Sequence, residues 1–119
     1  MILAGVGSQM LTPQQLVYAQ DLVYHTIDKF KPTEVISGGA VGIDEMVEIV
    51  AKAMGYRTTI YTPANKRWEP YGYKARNIKI AEHCTHMLCI QSLQSKTYGS
   101  GWTADYAIKL DKVVWRFVI

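Results

Sequence analysis

Five short apolar runs alternate along this chain with four segments of helical periodicity. That alternation constrains the fold more than any single residue does. Strands separated by helices pair in parallel through right-handed crossovers, which lay helices on both faces of one sheet. Residues 2–6 form the first run, ending at Gly7-Ser8. A helix is expected after Thr12, whose hydroxyl can accept a backbone N–H, with Pro13 at its first position and Lys31-Pro32 as its stop. Leu16, Ala19, Leu22, Val23, Ile27 and Phe30 recur at the three- and four-residue steps of one apolar face.

Residues 34–37 read as the second strand, and Ile43, Met46, Val47, Val50 and Met54 as the apolar face of a helix stopped by Gly55. Residues 58–61 form a third strand, and a loop holding Pro63 and Pro70 leads to a helix at about 73–83. Residues 87–90 are the fourth strand, a Gly/Ser loop precedes a short helix near 102–110, and residues 113–118 close the order as a fifth strand. The expected fold is an α/β, Rossmann-like three-layer sandwich: a mainly parallel five-stranded sheet with helices on both faces, one domain over residues 1–119. In such sheets ligands collect beyond the carboxyl ends of the strands, where connections diverge.

Charge narrows the partners. A net +3 suits a small anionic ligand and falls short of the dense basic stripe of a nucleic-acid binder. No apolar run approaches the roughly 20 residues that span a bilayer, and residues 1–6 lack the marks of a signal peptide, so a cytoplasmic protein without a membrane partner is expected. Cys84 and Cys89 are too few for a disulfide framework. With His83 and His86 they match no common zinc spacing, so no metal and no cofactor is expected. Eight tyrosines and three tryptophans favour a homo-oligomer.

The strongest local signal is the segment from Ser37 through Gly38, Gly39 and Gly42 to Asp44. Glycines between strand and helix let backbone N–H groups approach an anion, and the helix adds unpaired N–H groups and its positive dipole end. Asp44 would repel a phosphate there. Its spacing leaves open a cap on the loop backbone or acceptance from a ribose hydroxyl. Gly7 and Ser8 can offer a close backbone and a hydroxyl, but the third glycine of a dinucleotide fingerprint is replaced by Met10, which disfavours a nicotinamide-dependent dehydrogenase.

Between Lys66 and Asn77, aromatic faces can stack on a base, Arg76 can fork onto phosphate, and Asn77 can donate and accept. Lys66, Arg67 and Lys74 read as solvated cations. Ser100, Gly101 and Thr103 repeat the loop-to-helix arrangement, and Asp105 can orient a ligand or act as an acid. The catalytic residue is left unknown, with Asp105 and Asp44 as candidates.

Together, Gly7-Ser8, the Ser37–Asp44 segment, Arg76-Asn77 and residues 99–105 resemble the SLOG superfamily, named for the DNA-processing (SMF/DprA) and lonely-guy (LOG) proteins. The nearest likeness is to its small YspA-like members. The resemblance implies that these positions line one pocket for nucleotides or nucleotide-derived ligands, including ADP-ribose-like molecules. Two departures stand out. Small members usually carry a basic residue after Gly-Ser, where this chain has Gln9. The lonely-guy motif Pro-Gly-Gly-x-Gly-Thr-x-x-Glu corresponds to residues 98–105, which lack its proline and a glutamate in register.

Three functions follow as expectations. The first is a module that senses or sequesters a phosphate-bearing, ADP-ribose-like nucleotide signal. The second is a nucleotide N-glycosidase or phosphoribohydrolase using Asp105 or Asp44 with Arg76 on phosphate. The third is a single-stranded DNA binder, which the modest charge disfavours.

Overall fold

A computed structural model of the chain describes residues 1–69, 71–95 and 99–119. Pro70 of the expected loop, and Tyr98 of the segment compared with the lonely-guy motif, lie outside the described residues. The elements run β1 (Ile2–Gly7), α1 (Pro13–Phe30), β2 (Glu34–Ser37), α2 (Ile43–Ala53), β3 (Thr58–Ile60), α3 (Tyr73–His83), β4 (His86–Gln91), α4 (Gly99–Lys109) and β5 (Val113–Val118). The strands form one parallel sheet in the order β3-β2-β1-β4-β5.

Successive strand residues point to opposite faces, and each set meets its own helical layer. Leu3, Val35, Leu88 and Ile90 pack with Ala19, Val23 and Ile27 of α1 and Val47 and Ala51 of α2. Ala4, Val6, Ile36, Met87 and Cys89 pack with Ile80 and Ala81 of α3 and Ala104 and Ala107 of α4. Burial on both faces explains why the inner strands read as continuous apolar runs rather than alternating ones.

Local chemistry sets the ends of α1. Thr12 Oγ1 accepts from Gln15 N at 3.2 Å while Gln15 Oε1 accepts from Thr12 N at 2.9 Å, a reciprocal capping box. At the other end Lys31 takes a left-handed conformation, and its N–H donates to the Ile27 carbonyl.

One boundary departs from expectation. Residues 99–101 form the first turn of α4 rather than a loop before it. Gly101 is buried, and a Cβ there would lie 3.1 Å from Gln91 Nε2, so its lack of a side chain lets the helix settle against β4. Thr103 Oγ1 donates to the Gly99 carbonyl at 2.7 Å and braces that turn.

The strand order places the site. From β1 the chain passes through α1 to β2 on one side, whereas after β3 it crosses through α3 to β4 on the other side of β1. Loops leaving β1 and β4 therefore part company at the carboxyl edge, and a crevice opens between them.

Candidate functional site

A cavity of about 310 Å³ fills that crevice. It is lined by Val6, Gly7 and Gln9 from the end of β1, Ala40 and Asp44 around the start of α2, and Trp68 from the loop before α3. Tyr73, Arg76 and Asn77 of α3 and Gly99, Ser100 and Thr103 of α4 complete it. Volumes of this order hold small organic ligands.

Of the residues expected from the sequence, Gly7, Asp44, Arg76, Asn77, Ser100 and Thr103 meet at this cavity. Ser8, Ser37, Gly38, Gly39, Gly42, Gly101 and Asp105 do not line it. The Ser8 hydroxyl is buried and accepts from Ser92 N at 2.9 Å, tying β1 to the segment after β4. The Ser37 hydroxyl donates to the Asp44 carbonyl at 3.0 Å. Both serines are structural braces, and sequence gives a hydroxyl's position without its direction.

The glycine segment is not the open phosphate cradle that its composition implied. The backbone N–H of Gly7 donates to Asp44 Oδ1 at 3.3 Å, and the backbone of Ala40 and Gly38 adds a favourable field around the carboxylate. Ile43 N, at the start of α2, donates to the Ser8 carbonyl at 3.2 Å. The chain's own carboxylate thus occupies the nest that a ligand phosphate would need. Of the two readings that the spacing left open for Asp44, the loop cap is realised in the folded chain.

Arg76 faces Asp44 across Gly38. A Cβ on that glycine would stand 2.5 Å from Arg76 Nη1 and 2.7 Å from Asp44 Oδ2. Nη1 donates to the Gly38 carbonyl at 2.6 Å and the Tyr61 carbonyl at 3.3 Å, and Nε donates to Asn77 Oδ1 at 2.7 Å. The guanidinium also lies over the Tyr73 ring, 5.3 Å from its centroid. This side chain is held in one pose before any ligand arrives, with Nη2 outside those bonds.

Burial pushes the Asp44 carboxyl up from 3.8 to about 6, while Arg76 and the backbone of Gly7, Ala40 and Gly38 pull the other way. Burial also pushes the Arg76 guanidinium down, opposed by Asp44 and Tyr73. The folded chain therefore holds the Asp44 proton more tightly than the unfolded chain does. Its stabilising contribution is complete below about pH 4 and is lost as pH rises through about 6, a change of about 3 kcal/mol. Urea unfolding of wild type and Asp44→Asn at pH 4 and pH 7 should show the stability gap moving by about 2–3 kcal/mol in the variant's favour at the higher pH. An unchanged gap would mean that the carboxyl ionises as it does in water.

Asp105 belongs elsewhere. Its side chain is 64% exposed and pairs with Arg116 Nη1 at 2.5 Å on the outer side of α4. It lies two residues beyond the cavity-lining Thr103, and so on another face of α4. Asp105→Asn is expected to leave ligand affinity within twofold and stability within about 1 kcal/mol, by calorimetry and urea unfolding.

Trp68, Tyr73, Gln9, Val6, Ala40 and Gly99 line the cavity beyond the individual positions expected from the sequence. The signal for Trp68 and Tyr73 was the aromatic character of residues 66–77. Trp68 meets Trp102 edge-on at 5.1 Å, and Trp102 stacks on Tyr106 at 5.3 Å. Lys74 lies 5.8 Å from the Trp102 ring centroid. Gln9, the departure from the basic residue of small SLOG members, falls inside the cavity.

The cysteine–histidine cluster is engaged in ordinary packing. Cys84 and Cys89 are wholly buried, and burial pushes both thiols up to about 11. His83 bonds Tyr61 Oη through Nδ1 at 2.7 Å and approaches Glu34 through Nε2 at 3.4 Å. Among the described residues no helix is long and apolar enough to cross a membrane.

No protein-family model matches the chain, and no curated protein matches it either. Solved structures do. DNA processing protein A (DprA) from Streptococcus pneumoniae superimposes with a TM-score of 0.72 at 19% identity, over 96% of this chain and 49% of that one. TM1055 gives 0.73 at 19% identity, over 95% and 71%. The molybdenum cofactor carrier protein from Chlamydomonas reinhardtii gives 0.72 at 20% identity, over 97% and 74%.

The chain shares the parallel α/β fold of these three structures. This chain spans about half the length of the DprA chain it matches. In this fold the cavity lies at the topological switch between β1 and β4.

Proposed function

We propose that the chain binds a phosphate-bearing nucleotide derivative in this cavity and holds it without turning it over. The observation that carries the reading is convergence. A pre-posed arginine, an amide, a buried carboxylate and the first turn of a helix all face one volume of about 310 Å³ at the switch point. Since Asp44 fills the nest around α2, the anionic end of the ligand is assigned to the first turn of α4. There Gly99 and Ser100 bring helix-start N–H groups and a hydroxyl, close to Asn77 and its partner Arg76 on the neighbouring α3. Trp68 and Tyr73 supply aromatic surface for a base.

A binder is favoured over a hydrolase because Asp105 lies off the cavity, leaving Asp44 as the one expected carboxylate that lines it. That carboxylate is itself engaged by the Gly7 N–H. One of the structural neighbours, the molybdenum cofactor carrier, also carries a small molecule, by its name. The hydrolase reading rests on Asp44 alone, whose carboxyl near 6 would suit a general acid. Homo-oligomerisation is supported by the exposed Leu16, Val17 and Ile49, which border a second hollow between α1 and α2.

The test is a thermal-shift panel of AMP, ADP, ADP-ribose, cyclic ADP-ribose isomers and NAD, each mixture then resolved by chromatography. A bound member at 100 times its Kd adds about 2.7 kcal/mol, a rise of several degrees. Intact ligand recovered from the stabilised protein supports binding without turnover, and released base supports the hydrolase. Absence of any shift removes the nucleotide reading.

A further inference from the structure

We propose that Asp44 is a specificity-determining residue that selects ligands with an unsubstituted ribose hydroxyl and rejects those with a phosphate at that position. This rests on the nucleotide reading above and names the class of nucleotide.

The argument starts from hydrogen-bond capacity. An ionised carboxylate accepts at about four lone-pair positions and donates at none. The Gly7 N–H engages Oδ1 from the loop side, and Asp44 lines the cavity although only 7% of the residue is exposed. What it presents to a ligand is therefore acceptor capacity carrying negative charge in a poorly solvated place. A hydroxyl satisfies that position. A phosphate there would place like charges together where water screens them little.

The rest of the lining reinforces the choice. Arg76 stands beside the carboxylate across Gly38 with Nη1 already bonded to the Gly38 and Tyr61 carbonyls, so the ligand's anionic end is assigned to the helix-start N–H groups of Gly99 and Ser100 and its hydroxyl-bearing end to Asp44. A ligand lacking the hydroxyl leaves a buried acceptor unpaired, and sites built to bond a hydroxyl discriminate strongly for that reason. Asp44 contributes here as a recognition group whether or not the ligand is ever turned over.

The test uses wild-type protein and calorimetry with five probes: 5′-AMP, 2′-deoxy-AMP, 3′-deoxy-AMP, and adenosine 2′,5′- and 3′,5′-bisphosphates. At least one deoxy analogue should bind tenfold or more weakly than AMP, and the bisphosphate of the same hydroxyl a hundredfold or more weakly. Asp44→Asn, nearly isosteric, should bring that bisphosphate within tenfold of AMP. If the variant does not fold, the wild-type series still decides. All five probes binding wild type within twofold of one another would overturn the proposal while leaving the nucleotide reading intact. Failure of AMP and every analogue to bind at millimolar concentration would overturn both.

Discussion

Replacing Gly42 with alanine is expected to destabilise the chain by about 3–5 kcal/mol and to lower its melting midpoint by roughly 10–20 °C. Two separate causes meet at this residue. Its backbone stands at φ 89° and ψ −128°, a region that L side chains rarely adopt. A Cβ would also lie 2.4 Å from the Ser8 carbonyl oxygen and 2.8 Å from Gln9 Cα. That carbonyl cannot retreat easily. Ser8 is fixed by its N–H to the Ile90 carbonyl at 3.0 Å, by its hydroxyl to Ser92 N at 2.9 Å, and by its carbonyl to Ile43 N at 3.2 Å.

Gly55→Ala is the control that separates the causes. Its φ is 83°, but nothing lies within 4 Å of the added carbon, so only the conformational cost of about 1 kcal/mol remains. Equal losses at the two sites, measured by urea unfolding, would show that the contact with Ser8 is relieved by a small shift. Gly42 was expected to touch ligand, and its observed work is to let the loop after β2 lie against the loop after β1.

The second large effect concerns binding. Arg76→Ala is expected to weaken a 5′-phosphorylated nucleotide by 100-fold or more, about 2.7 kcal/mol or above. The same change removes the donors to the Gly38 carbonyl and Asn77 Oδ1, which costs the fold about 1–3 kcal/mol for acceptors left unpaired. Affinity must accordingly be taken by calorimetry on protein shown to be folded. Arg76→Lys separates charge from geometry. It keeps a cation opposite Asp44 but cannot bond two groups and still present an edge to phosphate, so a loss of at least tenfold is expected there too. A folded Arg76→Ala chain with wild-type affinity would remove phosphate recognition from this residue.

Periodicity made the layers of this fold legible, because burial on both sheet faces leaves a plain trace in runs such as residues 2–6 and 87–90. The start of α4 was hidden because glycines at 99 and 101 read as loop, whereas Gly101 sits inside the helix with the Gln91 and Arg116 side chains close to where its Cβ would stand. Site residues were legible where type alone decides, as with Arg76 and Asn77. They were not where direction decides. Asp44 and Asp105 both follow glycine-rich stretches in the sequence, yet one turns back into its loop and the other, inside α4, turns out to Arg116. Trp68 reaches the cavity from a loop whose course no periodicity encodes.

Asp44 belongs to the helical layer of α1 and α2, whereas Arg76 and Ser100 belong to the layer of α3 and α4. The cavity therefore exists only while both layers are docked on the sheet. No partly opened form that sheds either layer retains it, so occupancy and complete folding are a single linked equilibrium. A ligand fastened across that seam would slow hydrogen exchange in α2 and in α4 by the same factor, although the two helices lie on opposite sides of the sheet.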